Sequence, residues 1–404
     1  MNKLRTAFVT AVGLTCLLCS LAAHADSNTL KQKVDAVVDQ AITENHLVGA
    51  VVLIAQDGKT VYERAAGFAD KESHKPMQLD TMFRLSSVSK PIVTVAALAL
   101  VDRGQLSLDD PVTKWLPDFK PKLADGTTPT ITVRHLLTHT AGLGYKFTEK
   151  PDGPYHRAQI SDGLDEIRID LAEEMRRLAS VPLFSRPGSE WRYSLSIDVL
   201  GAVIESAARM PLDKAVADLV TKPLGMKDTS FLVNQAQAGR VATAYFNAPT
   251  GLARMAEPQV VALPFGTLNY SPARAFDPKA FPSSGAGMIG SAPDLMRLLE
   301  AMRKGGAPVL KASTASEMFR NQIAGLNVFE PGLGFGFGGG LTLDPAALKT
   351  PQSVGTLSWG GVYGHSWFVD PAKKLTVIVF TDVPPGGPAG EFHDRVRDAV
   401  YPGK

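Results

Sequence analysis

Hydrophobic residues recur along the chain at two spacings, one typical of helices and the other of strands. Helical periodicity, or a nearly continuous apolar run, predicts helices over residues 29–46, 91–101, 171–178, 196–208, 212–221 and 292–304, and a last helix that ends at 400. Asp170 and Ser291 each precede one of these segments, and both residue types are favoured N-caps. We therefore expect their side chains to cap the helices that follow.

Strand-like segments lie near both ends of the chain. Residues 50–56 and 60–66 are apolar and β-branched, and the Asp-Gly pair at 57–58 between them is a strong hairpin signal. Further strands are expected at about 354–370 and 374–381. Strands at both ends with helices between them predict an α+β fold, in which the sheet is assembled from the two termini and the helical part is an insertion.

The first 25 residues have a different pattern. Lys3 and Arg5 precede an uncharged run that ends in an A-x-A sequence at 23–25. These three features are typical of a secretory signal peptide. A membrane anchor is the alternative, because about 18 apolar residues can span a bilayer. The cleavage site favours removal, so we expect residues 1–25 to be a signal peptide. The mature protein would be periplasmic or secreted, with no stable membrane anchor.

The small positive charge of the chain belongs to that first segment. The chain has 42 basic and 40 acidic residues, so loss of Lys3 and Arg5 leaves 40 of each. Both cysteines, Cys16 and Cys19, lie in the same segment, so the mature chain has neither a disulfide nor a thiol nucleophile. A neutral chain without a long basic run argues against a nucleic-acid partner.

Two familiar kinds of hydrolytic site are not supported by the motifs. A nucleophile elbow requires G-x-S-x-G, and the nearest sequence, at 364–368, lacks the last glycine. His135 and His139 are four apart in a predicted helix, as zinc ligands are, but no glutamate follows His135 as the metalloprotease base would. We expect both imidazoles to pack at a helix end or in a loop, with no metal and no cofactor.

A serine and a lysine stand where the chain enters the apolar helix. Ser87 and Lys90 are three residues apart, so their side chains can meet on one helix face. A lysine desolvated against apolar residues can lose its proton and act as the base that a serine nucleophile needs. The helix N-terminus also offers N–H groups to an oxyanion. S-x-x-K alone is weak evidence, because about one match is expected by chance. A helix cap followed by a surface lysine is the alternative.

Two further segments could complete such a site. Tyr193 precedes the helix predicted at 196–208 and could carry a proton between Ser87, Lys90 and a leaving group. From the residue alone, an aromatic packing anchor is favoured. Residues 359–362, Trp-Gly-Gly-Val, lie on a C-terminal strand. Their glycines would let a substrate approach, and their N–H groups could complete an oxyanion hole. A β-bulge is the alternative there.

Together these motifs resemble the serine β-lactamase and penicillin-binding superfamily, and more narrowly the family VIII carboxylesterases of the EstB type. The resemblance spans nearly the whole mature chain. It rests on Ser87-x-x-Lys90, Tyr193-Ser194-Leu195, Trp359-Gly360-Gly361, LVGA at 47–50, FRL at 83–85, LLTHT at 136–140, GLGY at 142–145 and DVLGAV at 198–203. The segment WGGVYGHSWFVD at 359–370 is the most similar.

The resemblance implies an acyl-enzyme mechanism with Ser87 as the nucleophile. Lys90 and Tyr193 would share the duties of general base and proton shuttle, as a coupled pair. The backbone N–H groups of Ser87 and Val362 would form the oxyanion hole. The residues that would line the substrate pocket are Tyr145, Trp359, Gly360 and Gly361.

The resemblance also implies the fold and its division. It predicts a β-lactamase-like α+β fold with an antiparallel sheet built from both termini, flanked by helices, with a helical subdomain inserted. A single catalytic domain would span residues 26–404. Its α/β part would lie at about 26–85 and 281–404, and its helical part at about 86–280.

Two departures from the superfamily pattern bear on the substrate. β-Lactamases carry Lys/His-Thr-Gly where this chain has Trp-Gly-Gly at 359–361, and an indole cannot pair with the β-lactam carboxylate. The Tyr-x-Asn of class C enzymes is Tyr-Ser-Leu at 193–195. Both changes favour a neutral small-molecule ester, so we expect a serine carboxylesterase for short- to medium-chain esters. The alternatives are a β-lactamase, a D-amino-acid peptidase or an acyltransferase on the same scaffold, or a sensor that is acylated without turnover. The oligomeric state stays open.

Overall fold

The computed structural model describes residues 29–264, 266–385 and 388–401. The predicted signal peptide at 1–25, with Cys16 and Cys19, lies outside the described residues. Within the described part of the chain, no helix is long and apolar enough to cross a membrane.

The described residues form eleven α-helices and fourteen strands, and shorter 3₁₀ and π-helical segments lie between them. The helices are α1 (29–43), α2 (Ser89–Asp102), α3 (Val133–Leu137), α4 (Pro154–Arg157), α5 (Leu171–Ser180), α6 (Ser196–Ala208), α7 (Leu212–Val216), α8 (Gln235–Ala238), α9 (Ala292–Arg303), α10 (Ala312–Glu317) and α11 (Pro388–Val400). The strands are β1 (Gly49–Gln56), β2 (Lys59–Asp70), β3 (Lys75–Pro76), β4 (Met82–Arg84), β5 (Tyr245–Ala248), β6 (Gly251–Arg254), β7 (Gln259–Leu263), β8 (Gly266–Tyr270), β9 (Ile289–Ser291), β10 (Leu333–Phe335), β11 (Gly340–Thr342), β12 (Leu357–Gly361), β13 (His365–Asp370) and β14 (Leu375–Thr381).

The main sheet joins the two ends of the chain. Its eight strands run in the order β10-β11-β12-β13-β14-β1-β2-β3, and neighbouring strands are antiparallel. The N-terminal strand β1 pairs with the C-terminal strand β14, with Ala50 opposite Thr381. The predicted α+β fold, with an antiparallel sheet built from both termini, is therefore confirmed.

The hairpin between β1 and β2 forms where the sequence predicts it. Asp57 has φ 50° and Gly58 has φ 82°, so both central residues are left-handed. This backbone suits a two-residue hairpin loop, because its twist matches that of the flanking strands. The Asp-Gly pair therefore sets the register of the first hairpin.

The sheet is covered on both faces, as the alternation of side chains along β1 shows. Val51 and Leu53 belong to a large hydrophobic cluster that also includes residues of α2, α6 and α9. Val52 and Ile54 belong to a second cluster, which includes residues of α1 and α11. Because successive side chains of a strand point to opposite faces, one strand contributes to both cores. The helices α2 and α6 thus lie on the face opposite the two terminal helices.

The predicted helices form with small differences in extent. The Asp170 carboxylate accepts a hydrogen bond from Glu173 N at 2.7 Å and caps α5, as predicted. The prediction for Ser291 is wrong, because its side chain makes no capping bond. Pro293 in the first turn of α9 has no N–H to donate to it. The first helix ends at residue 43 rather than 46.

Three segments differ from their predicted form. The strand-like stretch at 354–370 is divided into β12 and β13 by a turn in which Gly364 has φ 109°. His139 lies beyond the end of α3, with φ 55°, so it does not share a helix with His135 as predicted. Residues 240–280, for which the sequence offered no account, hold the antiparallel pairs β5-β6 and β7-β8 inside the part expected to be helical.

Candidate active site

The predicted nucleophile lies at the entrance to α2. A 3₁₀ turn, Ser86–Val88, leads directly into that helix, and Ser87 is in its middle. Lys90 Nζ donates a hydrogen bond to Ser87 Oγ at 3.0 Å. Lys90 is only 2% exposed, because the helix around it is almost wholly buried. The i, i+3 pair expected from the sequence is thus in contact, inside the protein rather than at its surface.

Tyr193 reaches the same hydroxyl from a different part of the chain. It lies just before α6, and its hydroxyl donates to Ser87 Oγ at 2.7 Å. Lys90 Nζ lies 4.7 Å from the centre of the Tyr193 ring. On another side, the His139 ring lies 4.9 Å away, and burial lowers the pKa of that histidine well below its usual range. The imidazole next to Tyr193 is therefore neutral at ordinary pH.

A buried carboxyl group holds the loop that contacts Lys90. Lys90 Nζ donates to the carbonyl oxygen of Gly285 at 2.8 Å. The Asp198 carboxyl accepts from Ser283 Oγ at 2.6 Å and from Gly285 N at 3.3 Å. Burial raises the pKa of Asp198, while the bond from Ser283 and the charge of Lys90 oppose that rise. Asp198 therefore fixes the residue whose carbonyl oxygen accepts from Lys90 Nζ, and it lies close enough to Lys90 for the charge of the lysine to affect its pKa.

Asp198 is a residue of the site that the sequence motifs did not indicate. The residue follows Tyr193 by five positions, on the buried helix α6. A lone acidic residue among Ile197, Val199 and Leu200 was the available signal, because buried carboxylates need partners.

Strand β12 closes the site from the opposite side. Trp359 Nε1 donates to the Tyr193 hydroxyl at 3.3 Å. A Cβ at Gly361 would lie 2.5 Å from the carbonyl oxygen of Leu85, and one at Gly360 would lie 2.6 Å from that of His365. Both glycines line the cavity, and both are also required for close approach of backbone to backbone.

The two backbone groups expected to form an oxyanion hole border one cavity. Ser87 is in the first turn of a helical segment, where N–H groups have no partner within the helix. Val362 follows the end of β12, in the turn that leads to β13. Both residues line the same cavity. In such an arrangement, Lys90 and Tyr193 can deprotonate the Ser87 hydroxyl. The two N–H groups can stabilise the oxyanion that forms when the serine oxygen attacks a carbonyl carbon.

The cavity above Ser87 has a volume of about 570 Å³ and is lined mostly by apolar side chains. All four predicted lining residues border it, and Tyr145 is buried, at 3% exposed. Burial raises the pKa of the Tyr145 hydroxyl well above its usual value. Lining residues that the sequence did not indicate include Phe147, Asp162, Leu164, Leu268, Ala286 and Phe329. Five of these six come from loops or a hairpin, which have no strong sequence pattern.

The charged groups that line this cavity do not suit a substrate with a carboxylate. Among the described residues that line it, none is a lysine or an arginine. Burial lowers the pKa of His365 to about 3 and that of His393 to about 4, so both imidazoles are neutral at pH 7. Asp162 is the acidic group in the lining, and burial raises its pKa to about 7. The cavity wall therefore offers no cation to an anionic substrate.

Other candidate sites lack comparable chemistry. A cavity of about 650 Å³ beside α5 and α6 is lined by none of the predicted site residues. His135 Nδ1 accepts from Thr132 N at 3.2 Å in the cap of α3, and His139 Nδ1 contacts Ser194 Oγ at 3.3 Å. Over the described ranges, no group of three or more His, Cys, Asp or Glu side chains is placed to hold a metal ion.

Comparison with known proteins gives one family and several relatives. The family model described as Beta-lactamase matches residues 34–401. Esterase EstB from Burkholderia gladioli is 49% identical over 381 residues, which are 93% of this chain and 96% of that protein. Monacolin J acid methylbutanoyltransferase from Aspergillus terreus is 27% identical over 86% of this chain and 89% of its own length.

A solved structure agrees with these sequence matches. The structure titled "EstCE1, a hydrolase with promiscuous acyltransferase activity" superposes with a TM-score of 0.89 at 44% identity, over 93% of this chain and 100% of that one. Since the family model covers nearly all of the described residues and the esterase aligns along almost its full length, the chain belongs to the β-lactamase family.

Proposed function

We propose that this chain is a serine carboxylesterase that hydrolyses esters with short to medium chains through an acyl-enzyme on Ser87. The observation that carries the proposal is the contact of Ser87 Oγ with both Lys90 Nζ and Tyr193 OH, at 3.0 and 2.7 Å, beneath an apolar cavity. The similarity to an esterase over nearly the whole chain, and to a solved hydrolase, supports the same class of reaction.

In the proposed acylation, the coupled pair of Lys90 and Tyr193, with one of the two groups in its unprotonated form, takes the single proton of Ser87 as the serine oxygen attacks the ester carbonyl. The negative charge that develops on the carbonyl oxygen is stabilised by the N–H groups of Ser87 and Val362. As the tetrahedral intermediate collapses, the Tyr193 hydroxyl passes the proton to the departing alkoxide. The alcohol leaves, and the acyl group stays bound to Ser87 as an ester.

In the proposed deacylation, water repeats the same steps in the opposite direction. Lys90 and Tyr193 take a proton from the attacking water, the same two N–H groups hold the oxyanion, and the proton returns to Ser87 Oγ as the acid departs. Asp198 acts as a positioning residue, because its carboxyl accepts from Gly285 N, and the carbonyl oxygen of the same residue accepts from Lys90 Nζ.

The proposed substrate is a neutral ester because of the charge of the cavity. An anionic substrate would lose hydration on entry and would meet no lysine or arginine among the described lining residues. Trp359 occupies the position where β-lactamases have a cation, and its indole N–H is already bound to Tyr193. These features favour apolar acyl and alcohol groups over a β-lactam carboxylate.

The decisive experiment compares the wild type with Ser87→Ala on p-nitrophenyl butyrate and on nitrocefin. Ser313→Ala, an exposed serine on α10, is the matched control. We expect ester hydrolysis by the wild type and the control, its loss in Ser87→Ala, and slow or absent nitrocefin cleavage. Ester activity that survives Ser87→Ala would refute the mechanism. Fast nitrocefin turnover with inert esters would indicate a β-lactamase, and a stable acyl-protein mass without turnover would indicate a sensor.

Acyl transfer is the second candidate, because two of the similar proteins carry it in their names or titles. An acceptor alcohol added to the wild-type assay would compete with water for the acyl-enzyme. A new ester detected by chromatography at the expense of free acid would establish transfer. Free acid alone would restrict the activity to hydrolysis.

We also propose that residues 1–25 are removed during export to the periplasm or the medium. The support is the basic head and the A-x-A end of that segment. Expression of the full chain in a Gram-negative host, followed by fractionation and intact-mass measurement, tests this. We expect a periplasmic or secreted protein that starts at Asp26, and an unprocessed precursor when Ala25 is replaced by Lys. A wild-type mass that retains residues 1–25 in the membrane fraction would indicate an anchor.

A further inference from the structure

In the turn after β12, one N–H group makes no hydrogen bond to another of the described residues. Two peptide groups meet at Val362, and protein atoms hold three of their four polar groups. The Gly361 carbonyl accepts from Gly364 N at 2.9 Å, and Tyr363 N donates to Ser86 Oγ at 3.4 Å. The Val362 carbonyl is held by a side chain from elsewhere in the chain, described next. The fourth group is the Val362 N–H, which the proposed mechanism uses.

The side chain that holds the Val362 carbonyl is Tyr270. Its hydroxyl donates to the Val362 oxygen at 2.9 Å, and its ring packs edge-to-face against Tyr363 at 4.9 Å. Tyr270 is fully buried, at 0% exposed. Burial raises the pKa of its hydroxyl well above the usual value, so it remains a hydrogen-bond donor over the working range. The residue ends β8, in the hairpin formed by β7 and β8.

We propose that Tyr270 is a positioning residue for the oxyanion hole. The Tyr270 hydroxyl orients the peptide groups at Val362 so that the Val362 N–H points at the developing oxyanion. The proposal rests on the proposed ester hydrolysis at Ser87. It assigns a role in the reaction to the β7-β8 hairpin, which the sequence left without one.

Peptide geometry links the Tyr270 bond to the direction of the Val362 N–H. Each peptide group is planar, so the direction of the Val362 N–H depends on the two dihedral angles at Val362. The Tyr270 bond fixes the oxygen of the second plane at 2.9 Å. The other restraint on that plane, from Ser86, is a long bond of 3.4 Å. An oxyanion donor must lie within about 2.7–3.1 Å of the oxygen that becomes charged. Small rotations of this turn would therefore weaken the hydrogen bond from the Val362 N–H to that oxygen.

The test compares Tyr270→Phe with Tyr245→Phe. Both tyrosines are fully buried, but Tyr245 belongs to the second hydrophobic cluster, donates to Glu72 and lines no part of the cavity. Removal of one oxyanion donor costs roughly 10²–10³ in kcat, so a donor that is only misdirected should cost about tenfold. For Tyr270→Phe we expect kcat on p-nitrophenyl butyrate to fall about tenfold, with KM within about twofold.

A tetrahedral inhibitor separates positioning from general loosening of the fold. The rate at which a p-nitrophenyl phosphonate modifies Ser87 depends on the same oxyanion donors, so it should fall by a similar factor in Tyr270→Phe. Tyr245→Phe should keep both rates while losing thermal stability to a comparable extent. Ser86→Ala provides a second variant, since it removes the other restraint on the same peptide. It should lower kcat as well, and less than additively with Tyr270→Phe.

Several results would overturn the inference. An unchanged kcat in an active, folded Tyr270→Phe, an effect confined to KM, or an equal loss in Tyr245→Phe would each do so. If Tyr270→Phe does not fold, the inference is tested with Ser86→Ala. A kcat and a phosphonate rate equal to those of the wild type in that variant would reject the inference. A wild-type protein that hydrolyses no ester overturns the proposed function and this inference together, whereas the other results overturn the inference alone.

Discussion

The hydroxyl of Ser87 accepts hydrogen bonds from two residues that belong to different parts of the chain. Lys90 is near it in sequence, and helix geometry alone brings the two together. Tyr193 is 106 residues away and reaches it only through the packing of α6 against α2. At the residue scale, the first contact could be predicted and the second needed the resemblance to a known family.

Replacement of Tyr193 by Phe tests the proton shuttle. The ring and its packing remain, while the hydroxyl that contacts Ser87 and Trp359 is lost. We expect kcat to fall about 10²- to 10³-fold with little change in KM, because a positioned acid or base contributes in this range. Steady-state kinetics on p-nitrophenyl butyrate measure it. Tyr62→Phe, whose hydroxyl bonds to Asp35, is the control and should keep its activity. A Tyr193→Phe enzyme with half the wild-type kcat would exclude the role.

Replacement of Asp198 tests whether it acts by holding the loop or by its charge. Asp198→Ala leaves Ser283 Oγ and Gly285 N without their acceptor, so stability should fall by about 1–3 kcal/mol. Asp198→Asn keeps an acceptor oxygen and should recover most of the melting temperature. We expect kcat to stay about tenfold low in the Asn variant, because the negative charge near Lys90 is lost. A full recovery of kcat in Asp198→Asn would show that the charge has no role.

At the scale of elements, several acidic side chains come together between α5 and the loop that precedes it. Both carboxylate oxygens of Glu174 accept from Ser161 N, at 3.2 and 3.3 Å. Ser161 Oγ in turn donates to Asp165, and Asp165 forms an ion pair with Lys146 at 2.7 Å. Glu174 is fully buried, and burial raises its pKa to about 8. Its neighbour Glu173 is half-buried and forms ion pairs with Arg176 and Arg177.

The raised pKa of Glu174 makes stability depend on pH. An exposed glutamate titrates near 4.5, so as the pH rises the unfolded chain releases this proton before the folded chain does. The contribution of the protonated group is therefore complete below about pH 4.5 and is lost as the pH rises towards 8. Glu174→Gln removes the titration and should stabilise the protein by about 2–4 kcal/mol at pH 8 relative to its effect at pH 4.5.

Denaturant unfolding at several pH values measures this difference. Glu173→Gln is the matched control on the next residue, where Arg176 and Arg177 lower the pKa to about 2. That variant should show no comparable gain between pH 4.5 and 8. Parallel pH profiles for the wild type and Glu174→Gln would contradict the prediction.

At the scale of the whole molecule, one hydrophobic cluster extends across both predicted parts of the domain. It includes Val51 of β1 and Ile378 of β14, together with Leu98 of α2 and Val203 of α6. The boundaries expected from the sequence, with a helical part at about 86–280, remain a proposal. Since the sheet and the helices share one core, we propose that they unfold together.

Val38→Ala in α1 tests this cooperativity. Val38 is 1% exposed in the cluster on the far face of the sheet, and its truncation should cost about 2 kcal/mol. Two of the four tryptophans, Trp115 and Trp191, lie in the helical part, and the other two, Trp359 and Trp367, lie on strands of the sheet. Unfolding followed by tryptophan fluorescence and by far-UV circular dichroism should shift together. Gln32→Ala, at an exposed position of the same helix, should have little effect. Two separate transitions would show that the helical part folds as an independent unit.

Local sequence patterns predicted most of the helices and strands. Within the site they predicted the contact between Ser87 and Lys90, but not the contact of Tyr193 with Ser87. Periodicity located the long helices, because an amphipathic or apolar stretch has few other ways to bury its surface. It did not locate the hairpins β5-β6 and β7-β8, whose strands are short and half-exposed. It also assigned a cap to Ser291 without regard to the proline that removes a donor. The cavity residues Leu268 and Phe329 carried no signal, since nothing local marks a side chain that a distant serine will face.

The sequence by itself determined the assembly of the sheet from both termini, the Ser87-Lys90 pair and the family, because these depend on spacing and on residue types in short segments. Only the tertiary structure decided that Tyr193 and Trp359 meet over Ser87, that Asp198 holds the Gly285 loop, and that Tyr270 binds the Val362 carbonyl. These contacts join residues separated by up to about 170 positions. Their distances arise from the packing of whole elements, and no local pattern encodes them.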